Sequence, residues 1–166
     1  MLNTMMPLMA LLLGNGITEI NPHSQVVEAY VYGEKRLSTV TTICQKDREG
    51  RTLFLEPQAA FHFREMMGDA AKSGFFLKVV SAFRTHQQQR ALKRRRPSYA
   101  ASPGWSHHQQ GLSVDIAGTT RAIKGKKHRT ILYWWLVKNA KNYGFFNDVP
   151  NEPWHWTYGK RVRNYG

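Results

Sequence analysis

The chain has 166 residues, of which 42% are hydrophobic, so it can bury the core of one ordinary domain without a second lobe. Its single cysteine, Cys44, excludes an internal disulfide and a cysteine-based zinc site, so a metal ion would need His, Asp or Glu ligands. The net charge of +13 predicts attraction to polyanions, but charge alone does not distinguish nucleic acid, wall polymers and acidic membranes.

The N-terminal segment, residues 1–25, contains an apolar run at positions 5–13 that is too short to span a bilayer. It lacks the cationic flank of an export signal, because the first basic residue is Lys35. We expect either a degenerate signal or an extension packed on the domain formed by residues 26–166. No other segment is apolar enough to cross a membrane, so no transmembrane anchor is expected.

The predicted elements begin with a hairpin, because residues 26–32 and 37–43 are rich in β-branched and aromatic side chains and flank Gly33. A helix follows at residues 57–72, where Pro57 suits the first turn and the apolar residues recur at helical spacing. Later patterns predict a strand at 75–81, a helix at 85–95, a strand at 112–116, a helix at 131–143 and a strand at 154–158. This order favours an α+β fold, with a small antiparallel sheet flanked by helices.

Two segments, residues 106–115 and 152–155, stand apart from ordinary core patterning. Together they supply two histidine ligands, one carboxylate ligand and one spare carboxylate, which is the inventory of a catalytic zinc site with its fourth position open to water. If residues 112–116 form a strand, Asp115 and Ser113 share the face opposite the apolar residues. A lone His or Asp is more often a surface group, but Asp115 lies in an apolar run, where metal ligation would offset the cost of burial.

The pattern SxHxxGxxxD at residues 106–115, followed by ExWH at 152–155, resembles the signature of VanY-type D-alanyl-D-alanine carboxypeptidases. These belong to a wider group of zinc peptidases that includes lysostaphin-type and hedgehog-like folds. The segment 81–85, with Gln89 downstream, resembles the family's Ser-Gly-Tyr-Arg-Ser segment, and Pro103 and Gly104 precede the first motif as they do there. The resemblance covers roughly residues 57–159, although Thr157 stands where the family often has Arg.

The resemblance implies a role for each matching residue. Three side chains would bind one zinc ion per chain: His108, Asp115 and His155. Four would bind substrate or line its pocket: Arg84, Gln89, Ser106 and Trp154. Glu152 would be the general base, and Arg84 would also act in catalysis by contacting the substrate carboxylate or the developing oxyanion. His107 is an alternative ligand, but the motif spacing favours His108.

The implied activity is hydrolysis of peptidoglycan stem peptides, as a D,D- or L,D-carboxypeptidase that releases terminal D-alanine. One alternative is a phage-lysin-like endopeptidase of the L-alanyl-D-glutamate type, because the loop before Glu152 is short. A second is a non-catalytic zinc-containing wall-binding module, although such a module needs no base at Glu152. We expect a monomer in the cell envelope, or a phage protein released at lysis.

Positive charge is concentrated in the second half of the chain. From position 70 onward the sequence contains 18 of the 24 Lys and Arg residues but only three acidic residues. They cluster at residues 90–96, 121–129 and 160–163. Because these runs lack interleaved aromatic residues and resemble no standard recognition motif, nucleic acid is not expected as a main partner. Anionic wall polymers are the expected partners of this surface, beside the stem peptides themselves.

Overall fold

The computed structural model of the protein describes residues 23–159, which begin with an antiparallel three-stranded sheet. Its strands, in spatial order, are β1 (Ser24–Val31), β2 (Glu34–Lys46) and β3 (Thr52–Leu55). The hairpin predicted from the sequence is present, but its turn is formed by Tyr32 and Gly33 and β2 begins at once at Glu34. Both turn residues have positive φ, 50° and 86°, a geometry that matches the twist of the strands.

The first helix, α1 (Pro57–Lys72), has the bounds that the sequence predicts. The carboxylate of Glu56 caps it by accepting hydrogen bonds from the backbone N–H groups of Gln58 and Ala59. Its apolar face is fully buried: Ala59, Ala60, Phe63, Met66 and Ala70. This face joins residues of both larger sheets in one hydrophobic core, so the two sheets share their buried apolar side chains.

The second sheet is antiparallel, with the spatial order β4-β5-β9-β8. Its strands are β4 (Val79–Ser81), β5 (Ser113–Ile116), β8 (Phe145–Phe146) and β9 (His155–Tyr158). The cross-strand pair Val114 and Trp156 is buried in the core. The next pair along the ladder, Asp115 and His155, lies on the opposite face of the sheet. The α+β prediction is therefore confirmed, and this small antiparallel sheet carries two of the predicted metal ligands on one face.

The remaining elements are α2 (His86–Arg95), α3 (Ile131–Asn139), the exposed hairpin β6 (Thr120–Ile123) and β7 (Lys126–Arg129), and 3₁₀ turns at His107–Gln110 and Ala140–Tyr143. The strand predicted at 75–81 is shorter, because Phe75 donates its backbone N–H to Ala70 at the end of α1 and Phe76 is exposed. The helix predicted at 131–143 tightens into a 3₁₀ turn before Gly144. Strands β3, β6, β7 and β8 were not predicted from the sequence.

Between residues 23 and 159, no helix is both long and apolar enough to cross a bilayer. The apolar run predicted at positions 5–13, and most of the segment 1–25 to which it belongs, lie outside the described residues.

Candidate active site

Each of the three predicted ligands comes from a different element. His108 lies in the first 3₁₀ turn, Asp115 on β5 and His155 on β9. Gly111 ends the 3₁₀ turn with φ 73°, and a Cβ there would lie only 2.8 Å from the backbone nitrogen of Glu56. Only glycine fits this position, and it lets the chain pass directly from His108 into the strand that carries Asp115.

The ligand atoms of these three residues form a nearly equilateral triangle. His108 Nε2 lies 3.2 Å from His155 Nδ1, which lies 3.1 Å from Asp115 Oδ1, and the third side measures 3.4 Å. Zinc bound tetrahedrally, with bonds of about 2.0–2.1 Å, separates its ligand atoms by roughly 3.3 Å. The triangle therefore has the dimensions that a tetrahedral zinc ion requires, and this group could hold one metal ion.

Hydrogen bonds behind the triangle orient the two imidazoles. His108 Nδ1 donates to the carbonyl of Ala82 at 2.8 Å, which leaves the lone pair of Nε2 facing the triangle. His155 Nε2 lies 3.1 Å from Thr157 Oγ1, which in turn lies 2.8 Å from Ser113 Oγ. With its proton on Nε2, His155 would also present a lone pair at Nδ1, and the triangle would then offer three lone pairs without protons, as a cation site requires.

The ionisation of these groups also suits a cation. Burial alone would raise the pKa of Asp115, but the neighbouring imidazoles of His108 and His155 outweigh it and hold the pKa below its ordinary range. Burial lowers the pKa of His108 and so favours its neutral form, in spite of the opposing effect of Asp115. Burial alone would lower the pKa of His155 too, but its hydrogen bond to Asp115 and the negative charges of Asp115, Asp148 and Glu152 together outweigh burial and raise the pKa. A metal ion would therefore compete with a proton at this ligand. One carboxylate and two imidazoles are the donor chemistry of catalytic zinc.

The guanidinium of Arg84 lies beside the triangle, with Nη2 3.7 Å from Asp115 Oδ2. Nη1 donates to Gln89 Oε1 at 2.7 Å and Nη2 donates to Ser81 Oγ at 2.8 Å. Gln89 is buried and uses its amide N–H on the carbonyl of Ala101, so both ends of its amide contact protein. Gln89 therefore orients the guanidinium of Arg84. This contact is additional to its predicted role of lining the substrate pocket.

One cleft of about 440 Å³ contains all of the predicted site residues. Its walls include the triangle and five further side chains: Arg84, Gln89, Ser106, Glu152 and Trp154. Burial raises the pKa of Glu152, and the carboxylates of Asp115 and Asp148 add to this effect, while His155 and Arg84 oppose it. A half-buried carboxyl with a raised pKa is suited to taking up and returning a proton.

Asp148 is a residue of this site that no sequence motif indicates. Its Oδ1 is the one buried side-chain polar atom between residues 23 and 159 without a hydrogen-bond partner, and it lies 3.7 Å from His155 Nε2. Its Oδ2 lies 3.7 Å from His107 Nδ1, so His107 is directed at Asp148 instead of the triangle. The only sequence signal for Asp148 is its rarity, as one of three acidic residues after position 69.

Comparison with known proteins agrees with the motifs. The family described as VanY, D-alanyl-D-alanine carboxypeptidase, matches residues 52–161. A D-alanyl-D-alanine carboxypeptidase of Enterococcus faecium is 30% identical over 122 residues, which are 64% of this chain and 38% of that protein. Its counterpart in Enterococcus faecalis is 26% identical over 125 residues, 58% of this chain and 45% of that protein. The chain thus spans less than half the length of these relatives.

Solved structures share the fold. A mutant of the vancomycin resistance D,D-pentapeptidase VanY from a VanB-type cassette, in complex with Zn(II), has a TM-score of 0.54 at 23% identity, over 69% of this chain and 76% of that one. The LdcB LD-carboxypeptidase has a TM-score of 0.54 at 25% identity, over 83% of this chain and 68% of that one. Because the family match covers well over half of the sequence and includes both motif segments, the chain belongs to the VanY D-alanyl-D-alanine carboxypeptidase family.

Proposed function

We propose that the protein is a zinc-dependent peptidase that hydrolyses peptidoglycan stem peptides as a D,D- or L,D-carboxypeptidase. The observation that carries this proposal is the triangle of ligand atoms, which shares one cleft with a half-buried carboxyl and a mostly buried guanidinium. His108, Asp115 and His155 would hold one zinc ion. The relatives from Enterococcus, which are carboxypeptidases by name, support the same activity.

In the proposed mechanism, the side chains of the cleft have separate roles in proton transfer and in substrate binding. A bound zinc ion supplies Lewis acidity, which lowers the pKa of water to about 7 and polarises a carbonyl group. Glu152 takes a proton from the attacking water and returns it to the leaving amine, so that water is added across the C–N bond. Arg84, fixed by Ser81 and Gln89, presents N–H donors to a carboxylate or a developing oxyanion. Ser106 and Trp154 would line the substrate pocket.

Arg84→Ala tests whether the substrate ends in a free carboxylate. We expect hydrolysis of a stem peptide with a free C-terminus to fall at least tenfold more than hydrolysis of its C-terminal amide, because the cation that would form a charge-assisted hydrogen bond with the free carboxylate is lost. The measurement is kcat/KM for the two peptides, together with zinc content, which should not change. Equal losses on both peptides would instead favour the endopeptidase alternative.

Arg90→Ala is the matched control for this variant, because Arg90 is an exposed cation on α2 whose side chain does not line the cleft. It removes the same charge from the same part of the protein. Both peptides should be hydrolysed at the wild-type rate.

We also propose that the basic half of the chain binds anionic wall polymers and that the enzyme works in the cell envelope as a monomer. Between Asp115 and Asp148 the sequence contains seven Lys or Arg residues and no acidic residue. Every residue of β7 is exposed, as are the last three of β6, so this hairpin presents its charge to solvent. Such a one-sign surface attracts polyanions over a distance set by salt.

Binding to isolated cell wall should therefore depend strongly on salt. Raising ionic strength from about 0.01 to 0.15 M shortens the Debye length from roughly 30 to 8 Å, and retention in a pull-down should fall several-fold. Substituting Lys126 and Lys127 by Gln should reduce retention at low salt more than the same change at Arg51 and Lys72, each of which is already paired with an acidic residue. Retention that is independent of salt would contradict the proposal.

A further inference from the structure

The turn between β1 and β2 lies at the rim of the substrate cleft. Gly33 donates its backbone N–H to the carbonyl of Gly104 at 3.0 Å, and a Cβ at Gly104 would lie only 3.0 Å from the Cα of Gly33. This close contact fixes the turn on the loop that carries Trp105 and Ser106, both of which line the cleft. The hairpin precedes residues 52–161, so the rim includes a part of the chain that the family match does not cover.

A second set of contacts ties the same hairpin to the site. The ring of Tyr30 on β1 stacks on His86, with ring centroids 4.2 Å apart. His86 Nδ1 in turn lies 3.4 Å from Nε2 of the buried Gln109, whose Oε1 accepts a hydrogen bond from the backbone N–H of Gly104. The hairpin is therefore attached both at its turn and through the neighbouring Tyr30, and its turn has a defined position relative to the cleft.

Three aromatic side chains are exposed at this rim, which we call the aromatic rim: Tyr32, Tyr99 and Trp105. Tyr32 is 64% exposed and its ring meets that of Trp105 edge to face, with centroids 6.2 Å apart. Trp105 and Tyr99 are 58% and 84% exposed, and both line the cleft that contains the triangle. Exposed aromatic side chains that are continuous with a cleft are typical of ligand-binding surfaces.

The backbone conformation of Tyr32 is unusual for an aromatic residue. With φ at 50°, Tyr32 occupies the left-handed region, where a bulky residue is uncommon. An asparagine at this position, followed by Gly33, would be the favoured pair for a turn in which both central residues have positive φ. The fold therefore keeps an exposed aromatic ring at a position where a smaller residue would be more stable, and strain of this kind is found at functional sites.

We propose that the aromatic rim binds a sugar ring of the glycan strand while the stem peptide occupies the cleft. A carboxypeptidase acts at the free end of the stem peptide, so the part that leaves the cleft runs toward the sugar to which the peptide is attached. Pyranose rings carry flat C–H faces bordered by hydroxyl groups, and exposed Tyr and Trp rings complement them with an apolar face and a polar edge. This inference rests on the proposed function, because it takes a stem peptide as the occupant of the cleft.

The experiment compares one stem peptide in two forms, free and attached through its N-terminus to a disaccharide. Tyr32→Asn should raise KM for the disaccharide form roughly three- to tenfold and leave kcat unchanged, because one stacking contact is lost. It should leave the free peptide unaffected and should maintain or raise the melting temperature. Tyr32→Phe keeps the ring and should behave as the wild type. Trp134→Ala is the matched control, because Trp134 is 59% exposed on α3 and does not line the cleft.

A binding measurement separates this inference from the proposed activity. The disaccharide-linked peptide is titrated by calorimetry into Glu152→Gln protein with and without Tyr32→Asn, and the loss of affinity should match the rise in KM. An unchanged affinity, or an equal loss for the free peptide, would overturn the role of the rim in sugar binding. If the wild type hydrolyses neither form, the proposed function fails, while the titration still decides whether the rim binds the sugar.

Discussion

Replacing any one ligand of the triangle, by His108→Ala, Asp115→Ala or His155→Ala, is expected to remove zinc and abolish hydrolysis. Each residue supplies one of three atoms that lie 3.1–3.4 Å apart, and two remaining ligands do not make a stable zinc site. The measurement is zinc per chain after dialysis against a weak chelator. The wild type should retain one zinc ion, and each variant should retain almost none.

His107→Ala is the control for the ligand assignment, because His107 is next to a predicted ligand in the sequence but is directed at Asp148. It should retain zinc, as should His128→Ala, which alters an exposed histidine on β7 and should also keep full activity. Loss of zinc from His107→Ala together with its retention in His108→Ala would show that the ligand assignment is wrong. Circular dichroism of each variant separates metal loss from unfolding.

The strand face on which Asp115 lies could be predicted from the sequence because it depends on short-range periodicity. Alternation along residues 112–116 is sufficient to put Asp115 opposite the core face, and β5 in the structure buries Val114 and Ile116 as that pattern requires. The helix at residues 57–72 is equally well defined, because Pro57 marks its start and its apolar spacing has the helical period. The fold class follows from the order of such elements.

The rest of the site depends on contacts between residues that are distant in the chain, which periodicity does not encode. The sequence gives no reason to connect the β1–β2 turn with Gly104, or His86 with Gln109, and His86 would be taken as a surface group. The exposed hairpin β6–β7 lacks apolar alternation, so its sequence pattern does not indicate the two strands. These are the features in which this chain can differ in specificity from others that share its motifs.

The second large effect is expected for Glu152→Gln, which should lower kcat by about 10²–10⁴ while zinc remains bound. Glutamine keeps the size and hydrogen-bonding shape of the side chain but cannot accept a proton. Glu152 is half-buried in the cleft, and burial raises the pKa of its carboxyl, so it is suited to move a proton between the attacking water and the leaving amine. The measurement is the initial rate on a stem peptide at saturating substrate, beside the zinc content of the same preparation.

Glu65→Gln makes the same chemical change on the exposed side of α1, where Glu65 lies 3.1 Å from His62, and should leave rate and zinc content as in the wild type. Because Glu152 is not counted among the ligands, its replacement separates proton transfer from metal binding, which the ligand variants cannot do. Loss of zinc along with activity would make Glu152 a ligand or a structural support. Full activity with full zinc would require a different base, and the proposed mechanism would be wrong.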